Sequence, residues 1–137
     1  MLSQIDNSYE IGRLQQHEAS RLAGRVASAG SPSAGLFASA LGASRRLVLL
    51  GRLGETQRFE RLVAAEAWSD AALELLRLDA PGWHLQRLCQ DDGEWLCSLS
   101  RFRELPDWLD DGIEARHHDM ALAIVGAVVE LRARLGG

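Results

Sequence analysis

Lysine is absent from this 137-residue chain, so all fifteen of its basic residues are arginine. Together with the many alanines and glycines, this usage indicates a GC-rich bacterial genome. It also weakens any argument for nucleic-acid binding from arginine content, because that binding depends on neutralising phosphates. Residues 1–61 hold eight arginines and five acidic residues, whereas residues 62–137 hold seven arginines and fourteen acidic residues. Since the larger part of the chain repels phosphate, we expect no nucleic-acid partner. The asymmetry favours an electrostatic contact between the two parts, within a chain or between chains.

Long apolar runs are also missing, and so is a targeting signal. No stretch reaches the roughly 18 apolar residues that a membrane span needs, and the polar start MLSQIDNSYE lacks a signal-peptide pattern. The chain has only two cysteines, too few for a disulfide framework. Two unpaired thiols are typical of a reducing cytoplasm, which is where we expect the protein.

Motifs that carry chemistry are missing as well. The stretch GRLGET at residues 51–56 lacks the Lys-Ser/Thr pair of a phosphate-binding loop, and neither a GxGxxG motif nor a nucleophile elbow occurs. The sequence therefore predicts no catalytic residue and no cofactor.

The clearest feature that is present is a β-hairpin at residues 83–101, with its turn at Asp91-Asp92-Gly93. A two-residue loop would mix apolar and polar side chains on each face. A three-residue loop, with Gln90 opposite Glu94, separates them far better, and burial specifies register strongly. We therefore predict the three-residue loop. Cys89 and Cys97 then lie diagonally on one face, too far apart for a disulfide, and on opposite faces in the other register. Either way we predict free, buried thiols.

Helical patterns flank the hairpin on both sides. A thin apolar stripe predicts an N-terminal helix from about residue 8 to 29, which is marginal unless it docks. Residues 30–44 read as a small-residue linker or, alternatively, as a short helix from Ser33. Residues 46–53 favour a short strand, although a helix remains open. Residues 57–79 predict one helix capped at Thr56, with a solvated face that carries a Glu74–Arg77 pair.

The last region, 105–135, predicts a short turn and then a long helix from about Ile113 to Arg134. Its run MALAIVGAVV, residues 120–129, has no polar residue on any side, and a helix that is apolar all round is buried all round. One sheet face in a small domain would not cover such a helix. We therefore predict that a second copy packs there, with Met120, Ile124 and Val128 at the dimer interface.

Two groups of residues are candidates for a binding site. His117 and His118, with Asp119, form the one cluster of ligand-type residues, a possible metal site. On a helix, however, adjacent imidazoles diverge by about 100°, and a Glu114–His118 pair is the simpler reading. Trp83, Trp95 and Trp108 would line a small-molecule pocket between the hairpin and the last helix. In a core this small, however, large aromatics are first of all packing volume, and this is the simpler reading of the same tryptophans.

These observations predict an α+β fold in which helices cover a small antiparallel sheet, the hairpin with a possible third strand. Residues 1–45 are expected to form an N-terminal helix and linker, and residues 46–137 a single domain. The function that the sequence favours is a non-enzymatic interaction or regulatory protein, a homodimer through its last helix with a possible further protein partner. The alternative is a small-molecule or metal-binding domain.

Overall fold

A three-stranded antiparallel sheet in the order β1-β2-β3 organises the molecule, with helices packed on one of its faces. The structure is a computed structural model, and it describes residues 18–43, 53–101 and 112–134. The elements in chain order are α1 (described over 18–28), α2 (Ala34–Gly42), a 3₁₀ turn (Leu53–Thr56), α3 (Gln57–Ala64), α4 (Trp68–Asp79), β1 (Trp83–Asp91), β2 (Glu94–Arg101), β3 (Ile113–His117) and α5 (Met120–Arg134). The predicted α+β class is confirmed.

The hairpin turn contains two residues, Asp92 and Gly93, and Asp91 pairs directly with Glu94. Both turn residues have positive φ, 55° and 81°. This is the backbone that Asp-Gly favours, because its twist matches that of the flanking strands. The predicted three-residue loop is therefore wrong.

A β-bulge at Gln86 changes the register partway along the hairpin. On the side of the bulge away from the turn, Leu85 pairs with Leu99. This is the register that the separation of apolar from polar side chains predicted. The extra residue lets one hairpin satisfy both the two-residue turn and the apolar face. Between the turn and the bulge, Leu88 pairs with Cys97, so Cys89 and Cys97 point to opposite faces. Both thiols are free, as predicted; Cys97 is buried and Cys89 only half-buried.

The third strand is formed by residues 113–117, which the sequence had assigned to the start of the last helix. Ile113 pairs with Leu99 and His117 with Trp95. Ile113 and His117 are buried while Glu114 and Arg116 are exposed, an alternation that suits a strand with one covered face. The strand predicted at residues 46–53 lies outside the described residues, apart from Leu53 in the 3₁₀ turn.

The N-terminal segment belongs to the same core as the rest of the chain. Leu22 and Val26 of α1 and Phe37 of α2 join one hydrophobic cluster with residues of β2, β3 and α5. Residues 34–42 form a helix rather than the linker that was the first interpretation. Ser33 caps that helix, accepting a hydrogen bond from Leu36 N at 3.2 Å. The core therefore extends across the boundary proposed at residue 45.

The predicted helix 57–79 is two helices that meet at Glu66. Glu66 has a φ of 57°, and Ala67 N–H donates to Leu62 O at 2.9 Å, so the chain turns and starts again at Trp68. The predicted Glu74–Arg77 pair is confirmed, with N–O distances of 2.5 and 2.8 Å. Glu74 is buried rather than solvated. Its hydrogen bond to Arg77 lowers the pKa of the Glu74 carboxyl, although burial acts in the opposite direction.

The helix α5 is buried on all sides, as its apolar run predicted, but the chain itself provides the cover. It packs against α4, β2 and β3, and α1 reaches it at Gly126. Ile124 and Val128 are 0% exposed and Met120 is half-buried, so these side chains are used inside the chain. The reason for placing a dimer interface on them therefore no longer holds, since four elements cover the helix where the prediction counted only a sheet face.

A buried ion pair joins α5 to α4. Arg132 Nε lies 2.5 Å from Asp79 Oδ2, and both side chains are nearly buried. In the described residues, no helix has the length and apolar character to cross a bilayer.

Candidate functional site

The tight turn between β3 and α5 carries the cluster His117-His118-Asp119 that the sequence singled out. Asp119 caps α5: its Oδ1 accepts a hydrogen bond from Leu122 N at 3.0 Å, and its carbonyl accepts one from Ala123 N at 3.0 Å. An aspartate at a helix start satisfies free backbone N–H groups and favours the positive helix end. The turn therefore fixes where the two imidazoles lie.

His117 is buried, and hydrogen bonds at both ring nitrogens fix its orientation. Its Nδ1 accepts from the backbone N–H of Asp119 at 2.9 Å. The proton of the neutral ring therefore sits on Nε2, which donates to the carbonyl oxygen of Val26 at 3.1 Å. The ring thus joins the β3–α5 turn to the end of α1, 91 residues away in sequence.

His118 repeats the arrangement at the surface. Its Nε2 lies 2.9 Å from the carbonyl oxygen of Gly30 and must donate to it. The His117 and His118 rings pack with their centroids 4.3 Å apart. Two neighbouring imidazoles therefore hold two backbone carbonyls, one in the last turn of α1 and one just after it.

The ring nitrogens of His117 and His118, which the sequence proposed as metal ligands, make hydrogen bonds to the backbone instead. Both Nε2 atoms bind carbonyl oxygens, and Nδ1 of His117 binds a backbone amide. Within the described ranges, no group of three or more His, Cys, Asp or Glu side chains is placed to hold a metal ion. Glu114 lies in a strand, so the helical spacing that paired it with His118 does not apply.

The end of α1 contacts a surface formed by Ala115, His117, His118 and Gly126, which we name the α1 groove. A Cβ added at Gly126 would lie 3.6 Å from Ala115 Cβ and 3.7 Å from Val26 Cγ1. The helix α5, the strand β3 and the helix α1 therefore approach one another closely at the small residues Gly126 and Ala115. The sequence had suggested that Gly126 permits close helix approach, and the helix that uses it is α1 of the same chain.

The two described members of the proposed tryptophan pocket lie at opposite ends of the hairpin. Trp83 pairs with Arg101, whose guanidinium lies 5.3 Å from the Trp83 ring centroid, whereas Trp95 pairs with Gln90 beside the turn. Trp95 and Arg101 are six positions apart in β2, or about 20 Å at the usual rise of a strand. Trp83 and Trp95 therefore do not line one pocket, and Trp108 lies outside the described residues.

The outer face of the sheet carries two polar pairs between β1 and β2. Ser100 Oγ lies 3.2 Å from His84 Nε2, and Ser98 donates to Gln86 Oε1 at 3.1 Å. Both serines are buried. Cross-strand hydrogen bonds of this kind stabilise strand pairing.

The Cys97 thiol of the hairpin is poorly suited to act as a nucleophile. Burial raises the pKa of the Cys97 thiol to about 12, so the thiolate required of a nucleophile is scarce near neutral pH. Cys97 therefore acts as an apolar core residue.

The sequence located the histidine cluster but not what it binds. The missing partners are the backbone carbonyls of Val26 and Gly30, and backbone groups carry no residue signal. The remaining signal was the thin apolar stripe of α1, which required a docking surface. No protein family, curated protein or solved structure is detectably similar to this chain.

Proposed function

We propose that the protein is a non-enzymatic interaction protein whose binding site is the α1 groove. The observation that carries the proposal is the pair of hydrogen bonds from His117 and His118 to the carbonyls of Val26 and Gly30. With the apolar contact at Gly126, they make a surface that receives one amphipathic helix. In this structure the chain's own α1 occupies it.

The chemistry of the groove fits a helix of defined direction. Leu22 and Val26 are buried at i, i+4 spacing, the anchor pattern of helix-in-groove recognition. The imidazoles lie at the C-terminal end of the bound helix, where donors to backbone carbonyls are favoured. The Val26 carbonyl also accepts a hydrogen bond from Ala29 N at 3.3 Å. A helix with so thin an apolar stripe is marginal on its own, so it depends on the groove for its order.

The proposal keeps the homodimer and the reducing, cytoplasmic setting that the sequence predicted, but it moves the contact to the α1 groove. The sheet edge at β1 is a poor alternative because it carries a bulge at Gln86 and an exposed charge at Arg87. Both features oppose edge-to-edge pairing of strands.

A peptide-binding measurement tests the proposal. A fluorescent peptide spanning residues 18–33 is titrated into the full-length chain, into the variant Val26→Asp, and into the matched control Ala27→Asp. Val26 is buried in the groove and Ala27 is exposed on the same helix. We expect Val26→Asp to weaken the chain's own α1, and so to bind the peptide at least tenfold more tightly than the control does.

The peptide carrying Leu22→Ser and Val26→Ser serves as the specificity control and should bind neither variant. Circular dichroism establishes that Val26→Asp keeps its fold. If the folded Val26→Asp chain fails to bind the unmodified peptide at 100-fold excess, the groove is not a helix-binding site and the proposal is wrong.

A further inference from the structure

We infer that two copies of this chain associate by exchanging α1, so that each α1 lies in the groove of the other copy. The inference rests on the proposed function and names the partner of that site: the helix at residues 18–28 of a second copy, with Val26 as its anchor. The β3–α5 turn of one copy would then bind the carbonyls of Val26 and Gly30 of the other.

The segment that would act as the hinge is residues 29–33, between α1 and α2. Gly30 and Ser31 are exposed, Pro32 is half-buried, and Ser33 is extended with φ −146° and ψ 154°. Glycine gives this segment conformational freedom, and the residue before a proline is held away from helical geometry. The segment therefore separates the two helices and can straighten without breaking either one.

The two sides of this hinge are anchored very differently. On the α2 side, the Phe37 ring packs 6.2 Å from Phe59 and 5.1 Å from Trp68, between ring centroids, and Phe37 is 0% exposed. On the α1 side, the described attachment consists of small and aliphatic side chains and the two histidine hydrogen bonds, with no aromatic ring among the buried or half-buried residues: Ala19, Leu22, Ala23, Val26 and Ala29. Opening at the hinge therefore releases α1 while α2 stays in the core.

Exchange can preserve the described contacts of Val26. The His117–Val26 hydrogen bond and the Val26–Gly126 packing form equally well between chains, and the His118–Gly30 hydrogen bond also forms if the hinge straightens beyond the Gly30 carbonyl. The two forms then differ only in hinge conformation and in association entropy, which is why domain swapping is a low-cost route to dimers. Five extended residues span about 17 Å, so the grooves of the two copies must lie within that reach of each other.

A disulfide trap tests the exchange in the full-length chain. Val26→Cys and Gly126→Cys are combined in a Cys89→Ser background, because Val26 Cγ1 lies 3.7 Å from a Cβ at position 126. The protein is incubated at about 200 µM, oxidised, and denatured without reductant. We expect a covalent species of twice the chain mass that is absent from Val26→Cys alone. A link found only within single chains, at every concentration, overturns the inference.

Native mass spectrometry of the unmodified chain tests for the dimer independently, so the test does not depend on the folding of the disulfide-trap variant. Isotopically light and heavy chains, mixed at 200 µM, should give a mixed dimer. Inserting six Gly/Ser residues after Gly30 should reduce that dimer at least threefold, because a longer hinge favours closure within one chain. A monomer at all concentrations refutes the exchange. If the peptide still binds Val26→Asp, the groove stands as a helix-binding site and only its partner has been misidentified.

Discussion

The Nε2 atom of His117 donates a hydrogen bond of 3.1 Å to the carbonyl oxygen of Val26, and this buried contact joins residues 91 positions apart. Because Nδ1 of the same ring accepts from Asp119 N, one neutral imidazole serves both the start of α5 and the end of α1. The turn that organises the C-terminal helix is therefore also the anchor of the N-terminal one.

Replacing His117 by phenylalanine should destabilise the protein by about 2 kcal/mol. The change keeps a ring of similar size but leaves the Asp119 amide without its acceptor and removes the donor to Val26, and unpaired buried groups cost about 1–3 kcal/mol. Urea denaturation gives the free energy of unfolding. His118→Phe is the matched control, because His118 is exposed and water can replace its contact; it should cost about 0.5 kcal/mol. Equal losses for the two variants would contradict the assignment of His117 as the principal anchor.

Two substitutions at Gly126 should differ in their effect on α1, because only the larger side chain overfills the contact. The contacts of an added Cβ, 3.6 and 3.7 Å, are ordinary van der Waals distances, so Gly126→Ala should fit and stabilise the helix by up to about 1 kcal/mol. Gly126→Leu overfills the gap and should push α1 away, which should lower the free energy of unfolding by about 1–3 kcal/mol. Trypsin reports the difference, since Arg21 and Arg25 are exposed on α1.

Cleavage at these two arginines should accelerate at least tenfold in Gly126→Leu and stay unchanged in Gly126→Ala. Cleavage in the β2 strand after Arg101 is the internal reference for global unfolding. If both sites accelerate together in Gly126→Leu, the substitution has unfolded the whole protein and the specific link between Gly126 and α1 is lost.

The sequence predicted those features of the fold that depend on residues close together in the chain. The Asp-Gly pair marked the hairpin, and the apolar run of residues 120–129 marked a fully buried helix. What could not be predicted depended on backbone or on distant partners. The left-handed residue at Glu66, which divides 57–79, is not a glycine, so no residue type signals the break. The strand at 113–117 was assigned to a helix because five residues give too short a pattern to compete with the helix that follows.

The buried pair Asp79–Arg132 should be sensitive to the loss of one partner. Asp79→Ala leaves a guanidinium in the core without its carboxylate and should cost about 3–5 kcal/mol. The double variant Asp79→Leu/Arg132→Met removes both charges and should cost less than Asp79→Ala alone. Asp91→Ala breaks the exposed Arg116 pair and provides the control, at no more than about 0.5 kcal/mol. Chemical denaturation of the four proteins measures these differences, and a double variant that loses as much stability as Asp79→Ala, or more, would show that the unpaired Arg132 guanidinium is not the cause of the loss.

Cys97 should make the protein lose stability in alkali. Burial raises the pKa of its thiol to about 12 in the folded chain, from an ordinary value of 9.0. Below pH 9 the thiol is protonated in both states, so this contribution is fully present there. As the pH rises from 9 towards 12 the unfolded chain ionises first, and the stability falls by about 1.4 kcal/mol between pH 8 and pH 10. Urea denaturation at the two pH values measures this loss, and Cys97→Ala should lose about 1.4 kcal/mol less over the same interval, whereas Cys89→Ala should behave like the parent chain. A parent and a Cys97→Ala variant with the same alkaline slope would mean that Cys97 ionises in the folded chain as readily as in the unfolded one, and that the hairpin's inner face admits water.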